Sequence, residues 1–145
     1  MILLVISNVL LLDGENLQRV HNFMRSKYSV FDFENILPCP ENVADKYYWK
    51  LEHWGTPYNS SSAVDIDDNC FEFYSSDFPP FLILKILSKI FPDIKFSLLW
   101  AAEEDFNFCG TDVFLNGSTV ESFKPDSQTA LAEHIFTCWG KILPD

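Results

Sequence analysis

Ten of the first twelve residues, Met-Ile-Leu-Leu-Val-Ile-Ser-Asn-Val-Leu-Leu-Leu, are apolar and none is charged. A run this continuous reads as a buried strand at the centre of a sheet, from Ile2 to about Leu12, ended by Asp13-Gly14. The competing readings are a secretory leader and a membrane span. No Lys or Arg precedes the run, Ser7-Asn8 interrupts it, and no small-residue cleavage site comes after it. It also falls far short of the ~20 apolar residues that a spanning helix needs. The expected location is therefore cytoplasmic, with no membrane partner.

Downstream, Asp13 is expected to cap a helix from Glu15 to Lys27, in which Leu17, Val20, His21 and Met24 recur at helical spacing. Residues 31–40 alternate apolar and polar side chains and end in Pro38 and Pro40, which deny the segment a central place in a sheet. It is read as an extended connector that tucks Phe31, Phe33 and Ile36 under the domain. A helix is expected from Glu41 to about His53, with Gly55 as its stop. Two strands come after it, about Ser62 to Ile66 and Cys70 to Ser75, joined at Asp67-Asp68-Asn69. Val64, Ile66, Phe71 and Phe73 are expected on one side and Asp65, Glu72 and Tyr74 on the other, as in a sheet covered on one face.

Pro79-Pro80 then opens a mostly buried helix that continues to Phe91. A strand from Ile94 to about Ala102 and another from Phe108 to Leu115 come next. Asn116-Gly117 supplies the two positive-φ residues of a type I′ hairpin, returning through Ser118 to Phe123. Pro125-Asp126 opens a last helix with Leu131, His134, Ile135, Cys138 and Trp139 on one stripe, closed by Gly140.

The order strand, helix, insert, strand, strand, helix, strand predicts a ferredoxin-like α+β fold. Two split β-α-β units then make an antiparallel sheet with two helices on one face. An aromatic helical insert (about 31–61) and a C-terminal hairpin strand with a terminal helix (about 118–145) are additions. All 145 residues are expected to form one domain, burying roughly 70% of the surface of the unfolded chain. Cys39, Cys70, Cys109 and Cys138 are far apart, with no CxxC and no nearby His pair. They read as free thiols rather than as zinc ligands or a redox motif.

Charge is unevenly placed. Residues 51–84 hold Glu52, Asp65, Asp67, Asp68, Glu72 and Asp77 without a Lys or Arg, and residues 96–123 hold Glu103, Glu104, Asp105, Asp112 and Glu121 without one either. Those two segments carry the whole net charge of −11. A field of one sign repels phosphate backbones and attracts basic protein surfaces, so direct nucleic-acid binding is disfavoured. With the first strand central, the carboxylates are expected to collect on the open sheet face and in the turns.

Several patches of the sequence also resemble a known family. They are Ser7-Asn8-x-Leu10-x-Leu12-x-Gly14, Phe31-x-Phe33-x-x-Ile36-x-Pro38-x-Pro40, the run Trp49 to Asn59, Pro79-Pro80, and Gly110-Thr111-x-Val113-x-x-Asn116-Gly117. Together they resemble the YubB-type ferredoxin-like domain of plasmids and phages of enteric and related bacteria. The Trp-Gly-Thr-x-aromatic-Asn element is its specific part. Val5-Ile6 replaces the aromatic and Cys that often precede Ser-Asn in that family, and the helix after Lys124 has no counterpart there. The resemblance implies a ferredoxin-like fold and a mobile-element origin, and brings no established activity with it.

The densest aromatic segment, Tyr47 to Asn59, admits two readings. Trp54, Gly55, Thr56 and Tyr58 form either a binding edge, as aromatic anchors do at interfaces, or a clamp that staples the insert to the sheet. Asp65, Asp67 and Asp68, and Glu103, Glu104 and Asp105, lack the Gly and Glu spacing of a calcium loop and read as solvated turn acids. No G-x-S-x-G, H-E-x-x-H, P-loop or G-x-G-x-x-G is present. Neither a catalytic residue nor a cofactor or metal is therefore assigned. Two functions are left. One is a non-enzymatic accessory protein that binds a basic, nucleic-acid-handling protein through an acidic face made of Asp65, Asp67, Asp68, Glu72, Tyr74, Glu103, Glu104, Asp105 and Asp112, rimmed by the aromatic segment. The alternative is an enzyme or small-molecule module with a pocket around His53, Trp54 and Asp112. Oligomeric state is open.

Overall fold

The computed structural model describes residues 3–140. Ile2, assigned above to the first strand, and the end of the C-terminal extension at 141–145 lie outside them. Six strands, β1 (Val5–Asp13), β2 (Ser61–Asp67), β3 (Cys70–Ser76), β4 (Lys95–Ala102), β5 (Cys109–Leu115) and β6 (Ser118–Phe123), form one sheet in the order β2-β3-β1-β4-β5-β6. Every neighbouring pair is antiparallel. The continuous apolar run does take an inner position, with hydrogen bonds to β3 on one side and β4 on the other.

Among the described residues, five helices accompany the sheet: α1 (Gln18–Met24), α2 (Phe33–Ile36), α3 (Lys46–Trp54), α4 (Phe81–Ile90) and α5 (Gln128–Trp139). The order β2-β3-β1-β4, with α1 and α4 as the crossings, is that of a ferredoxin-like α+β fold, and β5 and β6 extend it at the β4 edge. The larger core lies on the face covered by α1, the insert and α4. Ile6, Leu10 and Leu12 of β1 meet Phe71, Phe73, Phe96 and Leu98 from the strands and Val20, Met24, Leu84 and Leu87 from the helices.

Local chemistry explains the helix ends. Asp45 accepts from the Tyr48 amide at 3.0 Å to start α3, and Ser127 accepts from the Ala130 amide at 3.0 Å to start α5. Asp13 does not cap α1. Asn16 sits at φ 55°, a left-handed conformation that a helix cannot continue through, so α1 begins only at Gln18 with no side-chain cap. The connector at 31–40 is not wholly extended either. The Asp32 carboxylate accepts from the Glu34 amide at 3.0 Å and nucleates the single turn α2.

Two further differences matter for function. First, the sheet is not open on its second face. Helix α5 lies across it, where Ile135 and Cys138 pack on Ala101 and Cys109 in a smaller core joined by Leu99, Leu131 and Trp139. The Ser7 hydroxyl donates to the Cys138 carbonyl, one of the orphan acceptors at the end of a helix. The Trp139 indole N–H donates to the Ala101 carbonyl at 2.9 Å. Second, β2 carries two bulges, and its sides are the reverse of those expected. Val64 is paired with Glu72 and Asp65 with Phe71. Asp65 therefore faces the main core side, 3.9 Å from His21, while Val64 and Ile66 are exposed.

Candidate functional site

The aromatic insert is a clamp. Trp54 is wholly buried, donates its indole N–H to the Leu37 carbonyl at 2.9 Å, and meets Phe33 edge to face at 5.7 Å. Phe33 in turn meets Phe31 at 5.0 Å, and Phe31 meets Phe73 at 4.8 Å, both at steep angles. Such pairs contribute about 0.5–1.5 kcal/mol each beyond their buried area. Gly55 turns the chain at φ 86°, where an added Cβ would lie 3.2 Å from the backbone nitrogens of Phe81 and Leu82. Thr56, also wholly buried, donates its hydroxyl to the Ser76 carbonyl at 2.7 Å. Trp54 and Thr56 are therefore buried where they fasten the insert to the core, against the expectation of a binding edge, while Gly55 is half-buried against the start of α4. Of the four residues, Tyr58 alone is exposed, with its ring against Tyr47 at 5.9 Å.

The acidic residues do not share one face. Asp67 ends β2 and Asp68 begins the β2–β3 turn, beside the end of β1 at Leu11. Glu103, Glu104 and Asp105 occupy the β4–β5 loop at the opposite end of the sheet, where the Glu103 amide donates to the Val5 carbonyl. Asp65 is turned toward His21, and Asp112 lies on the same side as Leu98 and Trp100. The expectation of a single acidic face is corrected by two causes: the bulges of β2 and the cover that α5 puts over the second face.

Glu72 and Tyr74 are brought together. With Val64 and Ser62 of β2 and Phe136 and Trp139 of α5, they line a groove of about 530 Å³ between the outer side of the β2–β3 hairpin and the last turns of α5. Tyr74 stacks on Trp139 at 5.5 Å, with the planes 19° apart. Phe136 and Val64 are exposed at 57% and 47%, so Glu72 shares the groove with open apolar side chains as well as with Ser7, Ser62 and Thr137.

A second concavity, of about 350 Å³, lies between the start of α4, the β4–β5 loop and the β5–β6 pair. Phe81, Trp100, Phe108 and Phe123 form its walls, with Asp112 and Lys124 among them. Neither His53 nor Trp54 lines it. His53 is exposed and stacked flat on Trp49 at 4.1 Å, so the pocket of His53, Trp54 and Asp112 expected for the alternative reading is not assembled. The aromatic slot was not visible in the sequence, because its four rings come from separate elements. Gly110 was the signal that could have found it: a Cβ there would sit 3.1 Å from the Phe123 carbonyl and 3.3 Å from the Trp100 ring.

Three of the four thiols are shifted away from the nucleophilic form. Burial raises the Cys70 thiol, helped by the charges of Glu72 and Asp67. Burial also raises Cys109, and it pushes Cys138 up to about 12. In all three the shift favours the protonated form, which is the unreactive one. The Asp32 carboxyl is pushed up by burial, but hydrogen bonds from Ser26, Asn59 and the Glu34 and Asn35 backbone outweigh that and hold it below the usual carboxylate value.

Among the described residues no helix is long and apolar enough to cross a membrane. No family model matches the chain, and no curated protein does. Among solved structures, the crystal structure of a protein api92 from Yersinia pseudotuberculosis, assigned to the family model DUF1281, is similar over 60% of this chain at 18% identity and a TM-score of 0.49. The match covers 32% of that protein, so the chain spans about a third of its length. At that level of likeness it gives this chain neither a family nor a function.

Proposed function

We propose that this chain is a non-enzymatic accessory protein of the YubB type, borne by a mobile element of bacteria, that docks on a basic protein partner. The supporting observation is charge that is not offset. Among the described residues, Lys or Arg pairs with acids at Arg19–Asp93 and Lys95–Asp13, and neither pair includes a candidate carboxylate. The groove around Glu72 adds apolar area beside one of those charges, which is the combination a protein interface uses. Inhibition of a host defence or nucleic-acid-handling factor, with carboxylates standing in for phosphates, is the concrete version. Direct binding of nucleic acid runs against the charge.

The test is capture of partners from the natural bacterial host with wild-type protein and Glu72→Lys, at about 50 mM and about 500 mM salt, where screening lengths differ severalfold. A basic partner that is retained at low salt, released at high salt and lost with Glu72→Lys is the expected result. Recovery of nothing specific, or of a partner indifferent to both changes, rejects this function.

A further inference from the structure

We infer that the slot around Asp112 receives the guanidinium of an arginine side chain presented by a protein partner. This rests on the docking function above and names the residue type that is read. The Asp112 carboxylate is held at both ends: Oδ2 accepts from the Trp100 indole N–H at 2.8 Å, and Oδ1 accepts from the Ser122 hydroxyl at 2.5 Å. Both donors are neutral. They fix the plane of the carboxylate, and each oxygen keeps a further lone pair with which to accept. They do not cancel its charge, and no Lys or Arg among the described residues lies within 4.0 Å of it.

Around that charge the walls are aromatic. Phe81 and Phe108 stand at 80° and 76° to the Trp100 ring, with centroids 5.9 and 5.0 Å away. Phe123, 54% exposed, forms the outer lip. A fixed carboxylate at the edge of the Trp100 ring, in a concavity lined by three phenylalanines, suits a flat, weakly hydrated cation that can use two parallel N–H donors. Guanidinium has those properties, whereas an ammonium is a compact and strongly hydrated point charge. The floor is shaped to match, since a side chain on Gly110 would crowd both Trp100 and the Phe123 carbonyl. The loop that delivers Phe108 also carries Glu103, Glu104 and Asp105, so the approach is negative. Lys124 is the opposing feature: it lies on the rim, and it weakens cation binding there.

The experiment is an NMR titration of the full-length protein, monitoring the Trp100 indole N–H. The probes are blocked arginine (Nα-acetyl-arginine methylamide), its uncharged isostere, blocked citrulline, and blocked lysine. Blocked arginine is expected to shift the signal saturably, with citrulline and lysine at least about ten-fold weaker, the loss expected when a charged hydrogen-bonded pair is broken. Asp112→Asn keeps an acceptor for Trp100 and a partner for Ser122, and it should weaken arginine binding by a similar factor. Phe123→Ala, at an exposed position, should weaken it a few-fold even if Asp112→Asn disturbs folding. Lys124→Ala should strengthen it. No saturable shift with arginine, or equal binding of arginine and citrulline, overturns the assignment. Because the titration needs no partner, its failure is distinct from a failed capture of one.

Discussion

Asp32 shows how one side chain holds several segments. Its carboxylate receives the Ser26 hydroxyl at 2.6 Å, the Asn59 amide at 2.8 Å and the Glu34 backbone N–H at 3.0 Å, so α1's exit, α2 and the end of the insert meet on one group. Those bonds favour the ionised form, and the folded-state value lies below the ordinary 3.8 despite burial. The unfolded chain therefore takes up its proton first as pH falls. Stability from Asp32 is complete above that ordinary value and is lost as the pH drops through the lower folded one. Urea unfolding of the wild type and Asp32→Asn should show a gap that is widest near neutrality and narrows below about pH 4, where the ordinary carboxylate begins to protonate. A gap independent of pH would show that the carboxylate's charge is not involved. At this scale the sequence was informative about residue type but not about exposure. Trp54-Gly55-Thr56 suits an interface as well as a clamp, and the choice depends on whether Leu37 and Ser76 come within reach, which spacing along the chain does not state.

Among the elements, those with strong local signals were legible. The type I′ hairpin forms where Asn116-Gly117 predicts it, with φ of 50° and 83°, and β6 spans Ser118–Phe123 as expected. Helix α5 was legible as a helix but not as a lid. Its apolar stripe shows which side is buried and says nothing about which surface receives it. The faces of β2 are not legible for a related reason: each bulge adds a residue to one strand and inverts the facing of the residues beyond it, and Ser-Ser-Ala-Val-Asp carries no mark of it. Helix α5 gives a direct test. Ile135 is wholly buried against Ala101 and Cys109, so Ile135→Ala should cost about 2–4 kcal/mol, read from urea denaturation. Circular dichroism and tryptophan fluorescence should fall in one transition if α5 belongs to the same cooperative unit. An unchanged midpoint would mean that α5 adds little to the fold.

At the scale of the whole molecule, both broad faces of the sheet carry helices, and the negative charge is divided between its two ends and concavities on opposite faces. The composition showed the excess of charge, but its placement depended on bulges and on α5. The sheet order has a further consequence, for time rather than for structure. Residue Ile6 pairs with Ala102 and Leu11 with Cys70, so β1 acquires its neighbours only after long stretches of chain have been brought back to it. Contacts so distant in sequence slow folding to the millisecond-to-second range, which stopped-flow refolding monitored by tryptophan fluorescence would measure; completion within microseconds would refute it. On the ribosome the greasiest strand thus emerges before the strands that shelter it, and it stays open to wrong partners until they are made.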